Sequence, residues 1–259
     1  MKLPLFPIGI AVLSSFTLVI DTFASLSIES LDSEVFLDFT DFDGSGFSPN
    51  PLEEQLDSDM WAVDGLSEGS LDFGGTATSG DFARGISSGG ETKGGIYAFD
   101  VGGGNIALGT QPTASDWAPG AFTLRLQNNT GLTLTELGIS YSIYLYNDQD
   151  RESSFNFSHS ADNDVYTQVS ELDFTSPGTG SKSPVWLETE LETTITELSI
   201  AAGEYYYFRW SGDDISNSGS RDEFGLGNIS MTAVPEPSQF GLICGLIVLF
   251  LVGRRVSSS

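Results

Sequence analysis

Acidic side chains are concentrated beside the predicted strands, where their oxygen atoms could bind a cation. Asn147, Asp148 and Asp150 follow one long strand-like run, and Asp222 and Glu223 precede the last one. Calcium takes about 6–8 oxygen ligands at roughly 2.3–2.6 Å, and carboxylates supply such oxygens. The sequence therefore offers a calcium site formed by Asp148, Asp150 and Asp222. The same acids could instead cap turns and pair with nearby arginines, and this second interpretation stays open.

Few other side chains suggest catalysis. His159 is the single histidine and Cys244 the single cysteine of the chain, which excludes zinc sites built from several imidazoles. Two carboxylates at a suitable separation can hydrolyse a glycosidic bond, but thirty-six acidic residues make such pairs common by chance. The sequence therefore predicts no catalytic residue, and a carboxylate-dependent glycoside hydrolase stays as the alternative.

Aromatic rings are the second kind of candidate binding group, because the apolar face of a sugar packs against them. Trp117 and Trp186 lie near predicted loops and are the candidate ligand-binding residues. Four further aromatic residues lie within strand-like runs, where a place in the core is the commoner outcome: Tyr144, Tyr146, Tyr206 and Trp210.

The elements that must position these residues are strands. Alternate positions are apolar from Leu137 to Leu145 and from Phe122 to Leu126, and Asn128–Gly131 predicts a turn between the two runs. About eleven such runs, separated by Gly, Asn, Asp, Ser and Pro, predict an all-β fold. The expected architecture of residues 25–233 is a single antiparallel β-sandwich of the jelly-roll or concanavalin-like kind.

Two runs depart from simple alternation. Glu204 to Trp210 is aromatic on both faces, which predicts a central strand buried on both sides. Phe224 and Leu226 alternate with one parity and Ile229 with the opposite one, so we predict a β-bulge at Gly227–Asn228.

The first residues carry the pattern of an export signal. Lys2 precedes a largely apolar run from Leu3 to Ile20, and Thr22-Phe23-Ala24 is a small-x-small cleavage site. Residues 1–24 are therefore predicted to be a helical signal peptide, cleaved between Ala24 and Ser25.

The last twenty-six residues combine three signals in a fixed order. Residues 239–253 are predicted to form a transmembrane helix, although its apolar part is shorter than the roughly 20 residues that span a bilayer. Arg254 and Arg255, in a basic tail at 254–259, place the C-terminus in the cytoplasm. Before the helix, two prolines hold residues 234–238 in an extended conformation. This predicted sorting motif consists of Val234, Pro235, Glu236, Pro237 and Ser238.

This order resembles the PEP-CTERM sorting signal of Gram-negative bacteria that make exopolysaccharide, a tail also known as an ice-binding-protein C-terminal domain. The resemblance rests on Pro235, Glu236 and Pro237, the apolar segment and the Arg254-Arg255 end. It implies processing by exosortase, with tethering to the inner membrane first and a final place at the cell surface or in the extracellular matrix. An ordinary single-pass anchor after a proline-rich linker is the alternative.

The stretch from Phe36 to Val234 is also similar to extracellular β-sandwich modules that occur with such tails. The similarity rests on Phe42-Asp43-Gly44, on Gly80–Gly85 and on the closing run Asp222–Ser230. It implies a jelly-roll fold and brings no activity with it.

Charge limits the partners. Residues 25–233 contain seven basic and thirty-four acidic residues, a net charge of about −27, which repels nucleic acid and anionic lipid. The predicted partners are exosortase, exopolysaccharide and, through the C-terminal helix, the membrane, with no nucleic acid. The predicted function is that of a secreted, non-catalytic structural or carbohydrate-binding module, and a passive surface coat is the other alternative.

Overall fold

The computed structural model describes residues 26–31, 33–216 and 218–234. The signal peptide at 1–24, its cleavage site at Ala24 and Ser25, and the tail from Pro235 to the end, with Glu236, Pro237, Ser238, Arg254 and Arg255, lie outside the described residues. Inside them, no helix is long and apolar enough to cross a membrane. Helical structure in the same residues amounts to two short turns, Gly80–Phe82 and Ser170–Leu172.

Strands make up the regular structure, as the alternation predicts. The described residues form seventeen of them. In chain order they are β1 (Ser27–Ile28), β2 (Glu34–Leu37), β3 (Phe47–Ser48), β4 (Leu56–Asp57), β5 (Trp61–Leu66), β6 (Gly69–Leu71), β7 (Ile86–Ser87), β8 (Gly95–Gly102), β9 (Asn105–Gln111), β10 (Gly120–Asn128), β11 (Leu137–Tyr146), β12 (Glu152–Ser160), β13 (Thr167–Gln168), β14 (Phe174–Thr175), β15 (Trp186–Ile195), β16 (Tyr205–Ser216) and β17 (Glu223–Ala233).

Two large sheets contain fifteen of these strands. Sheet A has the order β13-β12-β16-β10-β5-β6, with β1 added beside β10 and β14 beside β12. Sheet B has the order β15-β11-β17-β9-β8-β7, with β2 added beside β17. The long strands pair antiparallel, and β3 and β4 form a separate parallel pair. The predicted all-β sandwich with antiparallel sheets is confirmed.

The core lies between the inner faces of the two sheets. Leu137, Ile139 and Ile143 of β11 are buried there, as their alternation predicts. Aromatic rings fill the centre, where Tyr141 meets Trp210 of β16 edge-on at 5.5 Å between ring centroids. Aromatic pairs prefer this geometry because the positive ring edge faces the negative ring face. Burial of these alternating side chains is what holds the two sheets together.

Three local predictions have different outcomes. The bulge is confirmed: Ser140 pairs with Ser230 and Ser142 with Gly227, so β17 carries one extra residue there. The strand that contains Trp210 is central, between β12 and β10, but only alternate residues are fully buried. The turn at Asn128–Gly131 does not join paired strands, because β10 lies in sheet A and β11 in sheet B.

Candidate functional site

The outer face of sheet B, which points away from the core, is aromatic in one half and polar in the other. In the aromatic half, Tyr146 of β11 lies opposite Trp186 of β15 and Glu223 of β17. Six residues earlier on the same strand, Ser140 lies opposite Glu192 and Ser230. Side chains two apart on a strand share a face. The pairing of the three strands therefore places the aromatic residues together in one half of this face and the polar residues together in the other.

A shallow groove runs along the polar half. Two adjoining cavities of about 440 and 310 Å³ share Ser140 and Glu192. The floor is low because β11 contributes only Gly138 and serines there, and one side is formed by glutamates of the edge strand β15. The groove is defined as the surface formed by the side chains of Ser140, Ser142, Glu190, Glu192, Asn228 and Ser230.

Hydrogen bonds hold the polar groups along the groove in place. Glu188 Oε1 accepts hydrogen bonds from Ser142 Oγ at 2.7 Å and from Tyr144 Oη at 2.8 Å. Asn228 Nδ2 donates to Tyr144 Oη at 3.1 Å. Burial and the hydrogen bond to Glu188 raise the pKa of Tyr144 to about 12, so this phenol stays neutral. The network leaves hydroxyl and amide groups in fixed positions beside the open floor.

Carboxylates line the edge of the groove without partner cations. Glu190 and Glu192 are exposed, and within the described residues neither carboxylate takes part in a hydrogen bond or an ion pair. The five arginines of these residues pair instead with Asp59, Asp64, Asp81 and Asp214. Together with Glu188, the two glutamates place three carboxylates about 7 Å apart along one side of β15.

A loop closes the aromatic half of the same face. Residues 88–94, here named the strap, run between β7 and β8. Trp186 Nε1 donates to Ser88 O at 2.9 Å, and its ring lies 5.2 Å from that of Tyr146. The strap approaches closely at Gly89, where a Cβ would lie 2.9 Å from the Tyr146 ring. Only the polar half of the face is therefore open as a groove.

Two carboxyls lie buried at the end that the strap covers. Glu223 Oε1 accepts a hydrogen bond from the Glu91 N–H at 2.6 Å. Burial raises the pKa of Glu223 to about 8, and the negative charge of Asp148 adds to the effect. Burial likewise raises the pKa of Asp222 to about 6, although the hydrogen bond from the Gln149 N–H opposes it. Glu223 is therefore largely a neutral carboxylic acid at pH 7.

The predicted calcium ligands do not assemble as one site. Asp148 and Asp222 are neighbours, and each has a buried oxygen without a hydrogen-bond partner in the described residues. Asp150 Oδ1, however, accepts from the Gly180 N–H at 2.9 Å. In the part of the chain that the structure describes, no three or more acidic, histidine or cysteine side chains form a group that could hold a metal ion. Asp148, Asp150 and Asp222 therefore do not form such a group together, and calcium binding stays a prediction.

The two candidate tryptophans differ in their burial. Trp117 is 1% exposed, and its ring packs 4.2 Å from that of Phe122, so it lies in the core and not on the surface where the sequence placed it. Gly120 and Gly212 make room for it, since a Cβ on either would lie 2.6 Å from a Trp117 atom. Trp186 is half-buried on the outer face of sheet B, in the aromatic half that the strap covers.

The strand aromatics divide between the two faces. Tyr206 and Trp210 belong to the core, as expected of strand residues. Tyr144 and Tyr146 lie instead on the outer face of sheet B, beside Glu188 and Trp186.

The groove residues were not predicted from the sequence. Glu188, Glu190 and Glu192 alternate with Thr189 and Leu191, a pattern that an ordinary solvated strand shows equally well. Their significance comes from the neighbouring strand, because Ser142 and Ser140 lie opposite Glu190 and Glu192 on β11 and leave space that only the pairing reveals.

The comparisons with known proteins give fold similarity alone. No protein-family model matches the chain, and no curated protein matches it in sequence. The xylan-binding module CBM15 shares 7% identity with a TM-score of 0.37, over 79% of this chain and 99% of that one. A carbohydrate-binding module specific for non-crystalline cellulose, CBM28, shares 12% with a TM-score of 0.35, over 57% and 83%. The xylan-binding CBM22-1 domain of Paenibacillus barcinonensis Xyn10C shares 13% with a TM-score of 0.33, over 57% and 84%. Scores this low carry no argument about a ligand.

Proposed function

We propose that this chain is an exported, non-catalytic protein that binds a polysaccharide chain along the groove on sheet B. The groove is the observation that carries the proposal. It is open and shallow, its cavities extend over three neighbouring strands, and its rim holds hydroxyl, amide and carboxylate groups. Sugar hydroxyls both donate and accept hydrogen bonds, so such a mixed set of polar groups suits them.

The burial of the perturbed carboxyls supports binding over hydrolysis. A glycosidase needs a carboxylic acid that keeps its proton near neutral pH and reaches the substrate. Glu223 has a suitably raised pKa, but it is fully buried at the end that the strap covers. Asp222 is buried in the same way. Neither carboxyl lines the groove, and the glycoside-hydrolase alternative gains nothing from them.

Sorting is the second part of the proposal and rests on the sequence of the two ends. The signal-peptide pattern, the Pro235-Glu236-Pro237 segment and the Arg254-Arg255 end support export, tethering in the inner membrane and processing by exosortase. An acidic, groove-bearing sandwich would then be delivered to the cell surface or the extracellular matrix, where polysaccharide is the abundant partner. We also propose that the sandwich is of the jelly-roll or concanavalin-like class.

Blocking the floor of the groove tests the binding role. Full-length chain, purified in a detergent without a sugar headgroup, is titrated calorimetrically with neutral xylan, glucan and N-acetylated hexosamine oligosaccharides. Ser140→Trp fills the floor between the two cavities and should weaken binding at least about tenfold, or about 1.4 kcal/mol. Asn156→Trp, on the outer face of sheet A, is the matched control. Equal affinity of both variants and wild type would overturn the proposal.

Processing is tested separately in the producing cell. Replacing Pro235, Glu236 and Pro237 by alanine should leave the chain uncut and in the membrane, as seen by its mass and by fractionation. Pro49→Ala with Pro51→Ala is the control for loss of proline elsewhere. If the alanine variant has the same mass and the same location as the wild type, the tail is an ordinary anchor.

A further inference from the structure

We infer that the groove selects polysaccharide chains that carry free amino groups, such as N-deacetylated hexosamine polymers, over neutral and acidic ones. This inference rests on the proposed function and names the class of glycan. It is carried by the charge of one side of the groove. Glu190 and Glu192 are exposed there, and Glu188 continues the row towards the aromatic half.

The strand geometry fixes how these carboxylates meet a ligand. Alternate residues on β15 point to the same face, so the three side chains form a row with spacings of about 7 Å. A chain bound over the serine floor would run beside this row. An ammonium group offers three donors to a carboxylate, and such charge-assisted hydrogen bonds are roughly twice as strong as neutral ones.

No basic group of the described residues forms an ion pair with Glu190 or Glu192. The arginines that could neutralise them are engaged elsewhere, as with Arg209, which lies 3.1 Å from Asp64 on sheet A. On the far side of the floor, Ser230 Oγ donates to Glu34 Oε1 at 2.6 Å, which adds another carboxylate. A polymer of uronic acids would therefore meet like charge along both sides of the groove, which disfavours binding.

The experiment compares oligosaccharides that differ only in their amino groups. Full-length chain in a detergent without a sugar headgroup is titrated calorimetrically at pH 6 with an N-acetylated glucosamine hexamer, with its fully deacetylated counterpart and with a galacturonate hexamer. The deacetylated hexamer should bind at least about tenfold more tightly than the acetylated one at low salt. The advantage should shrink at high salt, because exposed charges are screened.

Charge-neutral variants locate the effect. Glu190→Gln and Glu192→Gln should each weaken binding of the deacetylated hexamer by about two- to fivefold, as expected for exposed ion pairs, and should change binding of the acetylated hexamer by a smaller factor, because a glutamine can still hydrogen-bond a neutral sugar. Glu53→Gln, an exposed glutamate between β3 and β4, is the matched control. A loss of affinity as large in Glu53→Gln would indicate general attraction to an acidic protein and would overturn the inference.

The remaining outcomes separate this inference from the proposed function. Binding of the deacetylated hexamer that survives Ser140→Trp would mean that it does not use the groove, and would overturn the inference. Neutral oligosaccharides that bind in a Ser140-dependent way, with no gain from amino groups, would overturn it and leave the proposed function intact. Absence of groove-dependent binding by any of the oligosaccharides would overturn both.

Discussion

Glu223 Oε1 accepts a hydrogen bond from the Glu91 N–H at 2.6 Å, which ties the first residue of the last strand to the strap 132 positions earlier. The strap in turn covers Tyr146 and accepts the hydrogen bond of Trp186 at Ser88. One buried carboxyl is therefore among the groups that hold the strap over the closed half of the outer face of sheet B. Its protonation state should influence the stability of the whole domain.

Stability should fall as the pH rises from about 4.5 to about 8. Burial raises the folded-state pKa of Glu223 to about 8, whereas an unfolded glutamate titrates near pH 4.3. Between these values the folded state holds a proton that the unfolded state has lost. The free energy of unfolding then decreases with rising pH, by up to about 1.4 kcal/mol per unit. Asp222, with a pKa raised to about 6, adds to the lower part of this window.

Tm measured from pH 5 to pH 8 checks this expectation. Glu223→Gln removes the titrating group and should give a flatter profile than wild type, while Glu53→Gln should match the wild type. The lowered pKa of His159, caused by burial, acts in the opposite direction below about pH 6.5 and is the same in all three proteins. Parallel profiles of wild type and Glu223→Gln would contradict the role given to Glu223.

Calcium should leave Tm within about 1 °C of its value in chelator. At neutral pH Glu223 is largely protonated, Asp150 is bonded to Gly180, and only Asp148 and Asp222 remain as a close pair, whereas calcium takes about 6–8 oxygens. Differential scanning calorimetry in excess calcium and in excess chelator measures the difference. A rise that Asp222→Asn abolishes would instead show that the unpartnered oxygens of Asp148 and Asp222 bind the ion.

Loss of the Trp117 ring should affect stability and leave binding unchanged. The ring is buried against Phe122, and truncation of a buried tryptophan to alanine costs about 3–5 kcal/mol. Urea unfolding of Trp117→Ala measures this cost. At a temperature where the variant is folded, its affinity for oligosaccharide should equal that of wild type. A stable variant with lost affinity would restore Trp117 as a binding residue.

A side chain at Gly89 should destabilise the strap. Gly89 has φ +100°, and a Cβ would lie 2.9 Å from the Tyr146 ring. Gly102 has a similar φ of +95° with no atom within 4 Å of the added Cβ, so Gly102→Ala reports the backbone strain alone. We expect Gly89→Ala to reduce the free energy of unfolding by about 1 kcal/mol more than Gly102→Ala, because the ring must move in a packed cluster. If chemical denaturation gives the same loss in the free energy of unfolding for both variants, the strap accommodates the added methyl group at Gly89 without further cost.

Much of the fold can be predicted from the sequence because alternation is a local property. The apolar positions of β11 recur at every second residue, and this period of two places them on one face in any sheet. The extra residue of the bulge at Gly227–Asn228 is visible for the same reason, as a change of parity within one run. These features depend on neighbours along the chain.

The sandwich partners and the groove depend on neighbours across the sheets. Residues Asn128–Gly131 have the composition of a hairpin turn, but the strands that they join enter different sheets. Packing of the apolar faces of the two strands decides this arrangement, and the turn does not. Trp117 is buried because Gly120 and Gly212 leave it room, and Gly212 lies ninety-five positions away. Distances of this kind along the chain leave no local pattern.

Composition and alternation along the chain establish an acidic protein built from strands, and the export and sorting patterns at its two ends stay predictions. Which polar residues face one another depends on the fold, because strand register pairs Glu192 with Ser140 and Ser140 with Ser230. The groove exists because small residues on β11 and β17 lie beside long acidic ones on β15. Such a surface is a property of three strands in register, and no one of them carries it alone.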